Sequence, residues 1–379
     1  MKKKLLSFKL YLKFLLFFIF VLLLFVSFIN YNVNPGNIYK TSLKNERNKS
    51  LPDKFAKELT ESKNGIIFNN DVWNIRDLKK SLAKEKMNVD CAIIGSSRVM
   101  QISSFRPIKS VPHICPTLIN LGVSGTSLED YLITSEYLLQ NIEKPKTILI
   151  GIDPWIFIMN REKRWRRHKF EFYLMKNRLE SKVDSNENYK EKSMISNTAL
   201  LLNLFNQEYF KRSIQLFFSK KNEEIVNANK FNYKEGLKDS VLLPDGSLIN
   251  SNKFLKKDFS KKTNSIVNYD IKGISKLDFN SGKWYQEDAI NLFNELIIYL
   301  KKDFEVIFVF APYHPAVWEV KDQPLVKALL HLEKKIKNMA KYSNIRTIGS
   351  YNPNIFKCKK SEFLDFDHPK DECLVKAFK

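Results

Sequence analysis

At 379 residues the chain exceeds one minimal domain and suits a single α/β domain carrying an insertion. Hydrophobic residues at 44% and aromatics at 13% exclude general disorder. A formal net charge of +22 sets up a field that favours polyanions, so nucleic acid, anionic lipid head groups and acidic surface polymers must be separated by location.

The N-terminus supplies that location. Lys2, Lys3, Lys4, Lys9 and Lys13 precede an apolar run from Phe14 to Ile29, extended backward by Leu10, Tyr11 and Leu12. Crossing the hydrocarbon core takes about 20 apolar residues, and the run reaches that length with Lys13 snorkelling to the interface. The basic flank predicts a cytoplasmic N-terminus and an extracytoplasmic remainder, which removes nucleic acid as a partner. A cleaved signal peptide is the competing reading, but Ser27-Phe28-Ile29-Asn30-Tyr31 lacks a small-x-small cleavage site. The expected organisation is a cytoplasmic tail and transmembrane anchor over 1–30, then a polar, lysine-rich stalk or lead-in over 31–85 with an Asn34-Pro35-Gly36 turn signal. An α/β domain over 86–379 follows, interrupted by an insertion over 156–285.

The α/β region reads as strands alternating with helices. Val89–Ile94 is a short apolar run stopped by Gly95-Ser96-Ser97, as for a buried parallel strand ending in a tight turn. Leu118–Val123 repeats the arrangement before Ser124-Gly125. Ser127, with Asp130 three residues on, predicts the start of a helix through Asn141. Thr147–Gly151 is a third strand. The fourth and fifth units come after the insertion: a helix over Gln286–Lys302 and strand Glu305–Phe310, then a helix over Pro324–Tyr342 and a short strand over Asn344–Ile348. Continuous apolar strands imply a parallel sheet covered on both faces, with chemistry beyond the carboxyl ends of its strands. The insertion is basic and Asn-rich, with a helix predicted over Ser196–Phe218 and irregular chain around Pro244-Asp245-Gly246. Such segments form lids or partner surfaces on a rigid scaffold.

Cys91, Cys115, Cys358 and Cys373 contain no C-x-x-C pair, and no metal or cofactor is expected. Outside the cytoplasm they can pair, Cys358 with Cys373 bracketing His368, or remain four buried thiols.

Four features follow strand ends in order: Gly95-Ser96-Ser97-Arg98, Asn120-Leu121-Gly122-Val123-Ser124-Gly125, Gly151-Ile152-Asp153-Pro154, and near the C-terminus Asp365-Phe366-Asp367-His368. This series resembles the sequence blocks of the SGNH (GDSL-like) hydrolases over residues 88–153 and 304–378. The resemblance implies a flavodoxin-like, three-layer α/β fold of SGNH type with a large insertion and an N-terminal transmembrane helix. It implies Ser97 as nucleophile, His368 as general base, Asp365 as the orienting carboxylate, and an oxyanion hole from the Ser97 and Gly125 backbone. At the remaining oxyanion position this chain has Asp153 where the family has Asn. An ionised carboxylate cannot donate a hydrogen bond, and a lost donor costs about a hundredfold to a thousandfold in rate. The Gly151–Trp155 stretch, Gly-x-Asp-Pro-Trp, is similar to that of a membrane-anchored subgroup associated with surface polysaccharide.

The chemistry stands without the family. A serine hydroxyl is a poor nucleophile until an imidazole takes its proton, and the imidazole needs a carboxylate to fix its tautomer. A serine at a strand-to-helix turn also gains the positive helix end. Arg98 can hold an anionic substrate group, with a structural salt bridge as the ordinary alternative. His314, between Tyr313 and Pro315 at the fourth strand's end, can line an acceptor site or be a turn residue. Asp367 is expected to be solvated rather than to reach the ring of His368. The run Arg161–Lys169 mixes cations with Trp165, a solvated face by default and otherwise a surface for an anionic glycan or lipid head group.

The expected function is a serine esterase or O-acyltransferase acting on cell-surface polysaccharide through an acyl-Ser97 intermediate. The alternatives are a catalytically silent SGNH-like domain that binds glycan or scaffolds envelope proteins, and a basic membrane-proximal structural protein.

Overall fold

The computed structural model describes residues 2–33, 51–68, 74–85, 88–106, 108–140, 143–158, 162–180, 204–205, 210–211, 213–214, 239–251, 285–319 and 324–379. The chain divides into two compact units, one of residues 1–50 with 183–224, the other of 51–182 with 225–379.

The first unit contains helix α1 (Lys2–Val33), whose stretch Lys9–Val33 holds 25 residues long and apolar enough to cross a membrane. At 1.5 Å per residue such a stretch is roughly 37 Å long, against a hydrocarbon core of about 30 Å. Its apolar side chains stand exposed, as for a helix that buries itself in lipid rather than protein. Near its end Asn30 is buried, donating to Leu204 O (2.7 Å) and accepting from Ser213 Oγ (2.8 Å). The helix expected over Ser196–Phe218 lies almost wholly outside the described residues.

The second unit is an α/β fold. Its elements begin with α2 (Leu51–Glu61), β1 (Ile66–Phe68), α3 (Ile75–Lys84), β2 (Cys91–Ile94), β3 (Leu118–Asn120), α4 (Leu128–Gln140), β4 (Thr147–Gly151) and α5 (Lys169–Glu180). They continue with β5 (Ser240–Leu242), β6 (Leu248–Ile249), α6 (Glu287–Leu300), β7 (Glu305–Phe310), α7 (Pro315–Trp318), α8 (Pro324–Tyr342), β8 (Arg346–Gly349) and α9 (Asp371–Ala377). Five parallel strands lie in the order β3-β2-β4-β7-β8. Counted along the chain this is 2-1-3-4-5, the order of flavodoxin-like sheets.

The strands are apolar throughout because both faces are covered, and the alternation of Cβ directions divides them. Ala92, Ile94, Ile148, Ile150, Phe308 and Phe310 join the core that also holds Tyr131 and Leu132 of α4, Phe293 and Ile297 of α6, and Leu329 of α8. Cys91, Ile93, Leu149, Ile307 and Val309 face the opposite way, onto Val99, Ile102, Val111 and the α9 residues Leu374 and Ala377. Disulfides Cys91–Cys115 and Cys358–Cys373 complete this side.

Two boundaries differ from the sequence expectation. From Leu51 onward the segment read as a lead-in belongs to the α/β unit: Phe55, Ala56, Leu59, Leu78 and Leu82 are all buried in its main core. A narrow i, i+3/i+4 apolar stripe is enough to dock a helix, and the lysines between its members conceal it in an average over composition. The insertion likewise returns chain to the scaffold. β5 and β6 form an antiparallel sheet with β1, and the turn at Pro244-Asp245-Gly246 presents the Asp245 carbonyl to the Asn120 N–H at 2.7 Å, beside the end of β3. Lys79 ties the same junction, donating to the carbonyls of Asn120 (2.6 Å) and Gly246.

Helix α3 also braces the loop after β3. Arg76 forms a buried two-point pair with Asp130 (2.8 Å each) and donates to the Gly125 carbonyl (3.2 Å). Removing one member of such a pair leaves the other charged and desolvated. Arg76→Ala is therefore expected to lower the unfolding free energy by about 3–5 kcal/mol, measured by urea denaturation in detergent; a loss within error of zero would show that water replaces the guanidinium.

Candidate active site

The site assembles where four chain segments leave the carboxyl edge of the sheet. After β2 the chain turns at Gly95-Ser96-Ser97 and continues in successive turns, Met100 N–H donating to Ser97 O (3.3 Å) and Ile102 N–H to Val99 O (3.0 Å). No α-helix starts at Ser97, so the expected contribution of a helix end is absent. After β3 the loop stays in parallel register with the Ser97 loop: Leu121 N–H donates to Ile93 O (2.8 Å) and Val123 N–H to Gly95 O (2.9 Å). The loop that carries Gly125 thus starts alongside the one that carries Ser97. The Gly125 φ of 60° is a left-handed conformation that suits glycine, and a Cβ there would lie 2.3 Å from Arg164 Nη2.

The C-terminal segment brings the base. Asp365 organises its own loop, Oδ1 accepting from the backbone N–H groups of Asp367 (3.1 Å) and His368 (2.9 Å). The loop is closed by Leu364 N–H to His368 O (2.8 Å). With the ring so placed, His368 Nδ1 lies 2.8 and 2.9 Å from the two oxygens of Asp365, and Nε2 lies 2.8 Å from Ser97 Oγ. Ser97, His368 and Asp365 therefore form a hydrogen-bonded relay spanning 271 positions of sequence.

Arg98 has a different place from the one expected. It is fully buried. Its Nη1 donates to Asp153 Oδ1 (3.0 Å), its Nε to the Asp367 carbonyl (2.8 Å), and its Nη2 to the carbonyls of Ala311 and Pro312 (3.2 Å for the latter), while Tyr313 packs 4.0 Å from the guanidinium carbon. Asp153 is accordingly the counter-ion of Arg98 and not an oxyanion donor. A buried guanidinium next to the serine needs a carboxylate, and Asp153 at the neighbouring strand end supplies it. His314 is also corrected: it is buried, its Nδ1 accepting from Ala316 N–H (3.1 Å) as the N-cap of α7, with its ring against Phe363. In the structure it caps the turn through Nδ1.

Asp367 is the third correction. Only one residue from the histidine, it nonetheless reaches the ring, Oδ1 lying 2.9 Å from Nδ1, and it is buried. The Asp365 N–H acceptor turn folds the backbone tightly enough for both carboxylates to converge on one nitrogen. Burial by itself would push the His368 imidazole down, but Asp367 and then Asp365 outweigh it and hold it up at about 10. Burial pushes the Asp367 carboxyl up, whereas Asp365 is held down at about 2 by His368 against the same effect of burial. The ligand atoms of Asp365, Asp367 and His368 lie within 4.8 Å of one another, so they could take a cation only by giving up the carboxylate–imidazole bonds.

No protein-family model matches the chain, and no curated protein matches it either.

With two carboxylates on Nδ1 the charged form of the imidazole is favoured, and removal of the serine proton draws on its neutral form. Its charged form supports folding fully below about 6.5, a contribution lost as pH rises through about 10, so the form that stabilises the site is not the form that acts as base. Ser97 reactivity toward a fluorophosphonate is expected to climb with pH up to about 10. Asp367→Asn should move that limb to lower pH; an unmoved limb would remove Asp367 from the charge balance of the ring. Arg98→Met is expected to destabilise the unit by about 3–5 kcal/mol, since it strands Asp153 in the interior, read again by urea denaturation; the double substitution Arg98→Met/Asp153→Leu should recover most of that loss.

Proposed function

We propose that this chain is a membrane-anchored, extracytoplasmic serine esterase or O-acyltransferase of SGNH type that acts on cell-surface polysaccharide. The observation that carries the proposal is the Ser97 Oγ to His368 Nε2 distance of 2.8 Å, with Asp365 on the opposite ring nitrogen. In this reading the neutral imidazole removes the serine proton as Oγ attacks an ester carbonyl. The imidazolium then returns that proton to the departing alkoxide, leaving acyl-Ser97 and an alcohol. Water, or a sugar hydroxyl, takes the acyl group in the second half-reaction by the reverse sequence of proton transfers. The flavodoxin-like strand order, with the reacting groups beyond the carboxyl ends of the strands, supports the assignment. So does the apolar N-terminal helix, whose lysine flank favours an extracytoplasmic position for the rest of the chain.

The retained relay favours chemistry over a silent binding scaffold, because a domain kept only for binding has no need for an imidazole bonded to both a hydroxyl and a carboxylate. The test is labelling of the full chain in detergent by a fluorophosphonate probe, at pH 9 to 10 where His368 begins to lose its proton. Wild type is expected to take the label, and Ser97→Ala and His368→Ala to lose at least about 99% of the rate. Equal labelling of Ser97→Ala, or none of wild type across that range, would reject the serine mechanism.

A further inference from the structure

The basic run that sequence alone leaves as a solvated face has an uneven distribution of partners. Between Arg164 and the first turn of α5, the residues Trp165, His168 and Phe172 face the protein: Trp165 packs on Phe172, and His168 lies 2.9 Å from the Tyr137 hydroxyl and 3.2 Å from Asp77. Arg167 is taken up by Asp77 (3.0 Å). That packing forces Lys163, Arg166 and Lys169 outward, and among the described residues none of the three has an acidic partner within ion-pair distance. Phe170 and Tyr173, three apart on α5 and therefore on one side of it, are more than half exposed (61% and 54%).

Arg164 connects this ledge to the reacting centre. It donates to the Ser124 carbonyl (3.2 Å), pairs with Glu162 (2.5 Å), and closes over the bare Cα of Gly125, in the loop whose Val123 N–H bonds to the Gly95 carbonyl two residues before Ser97. Its side chain is still 53% exposed. One continuous segment thus runs from the serine's neighbouring loop to three exposed cations and two exposed aromatic rings.

We infer that this ledge, Lys163, Arg166 and Lys169 with Phe170 and Tyr173, docks a polyanionic glycan, one bearing carboxylate or phosphate groups along its length, and leads it past Arg164 to Ser97. The inference rests on the acyl-serine reading and narrows its substrate class. Exposed cations spaced along a segment complement a chain of repeated negative charge, and exposed rings suit the apolar faces of sugars. A bilayer would meet the same cations as a plane, with nothing to bring it to the Gly125 loop. The bulk of the attraction is electrostatic and partly screened, so it should weaken steeply with salt.

The test reads binding without turnover. The full chain in detergent is titrated with fluorescein-labelled polygalacturonate oligomers, and with neutral dextran of the same length, at low and physiological salt. Wild type is expected to bind the polyanion at least about tenfold more tightly than dextran, and the charge-reversed Lys163→Glu/Arg166→Glu/Lys169→Glu chain to lose about tenfold or more. The conservative Lys163→Arg/Lys169→Arg chain should bind as wild type does, which separates lost charge from lost folding. Equal binding of polygalacturonate and dextran, or wild-type affinity in the charge-reversed chain, overturns the inference. So does capture, through the same three residues, of phosphatidylglycerol nanodiscs in preference to the polymer, which would make the ledge a membrane surface. Ser97→Ala must bind as wild type. Fluorophosphonate labelling of the same preparations reads the serine separately: an inert serine with intact polymer binding sinks the hydrolase reading, and a reactive serine without binding sinks only the ledge.

Discussion

The arrangement of this site depends on one buried cation. Arg98 sits with no solvent exposure among the ends of three strands and the C-terminal loop, and its donors reach Asp153 after β4, two carbonyls after β7, and the carbonyl of Asp367. A guanidinium is a rigid planar fork, so its partners are held in relation to each other as well as to itself. The serine is the preceding residue and the histidine follows the last of these carbonyls. The distance between the two reacting side chains is consequently set by a neighbour of each, and Gln101, which donates to the Pro369 carbonyl (2.9 Å), repeats the tie one turn further along.

The carboxylates around His368 divide their labour in the same spirit. Asp365 spends its oxygens on the loop's own N–H groups as well as on the ring, which makes it an organiser of conformation. Asp367 has its backbone on Arg98 and its side chain on the ring, so it links the charge of the imidazole to the position of the loop, alongside Asp365.

Much of the scaffold was legible in advance. Strands Thr147–Gly151 and Glu305–Phe310 and helix Pro324–Tyr342 lie where their apolar patterns predict, because a strand buried on both faces and a long amphipathic helix leave strong periodic signals. The meeting of Ser97, Asp365 and His368 was legible from their order along strand ends. Less visible were the contributions of single polar residues. Nothing in the string Ser-Arg or Gly-x-Asp-Pro announces that Arg98 and Asp153 will pair, since their contact is made only when two strands lie side by side. The docking of α2 and α3 was hidden by the lysines interspersed in both, Lys54 and Lys57 exposed on α2 and Lys79 buried in α3. The approach of Asp367 to the ring was hidden by an argument from spacing that ignored how tightly a carboxylate-capped turn can fold.

The two disulfides carry a further consequence. Cys91–Cys115 encloses the segment that bears Ser97, and Cys358–Cys373 encloses the one that bears Asp365 and His368, with separations of 24 and 15 residues. Each half of the relay is thus held in its own covalent ring, and no crosslink joins one half to the other. Thiol reagents would loosen the nucleophile's ring and the base's ring as separate events, and the reduced chain is without covalent support for either half.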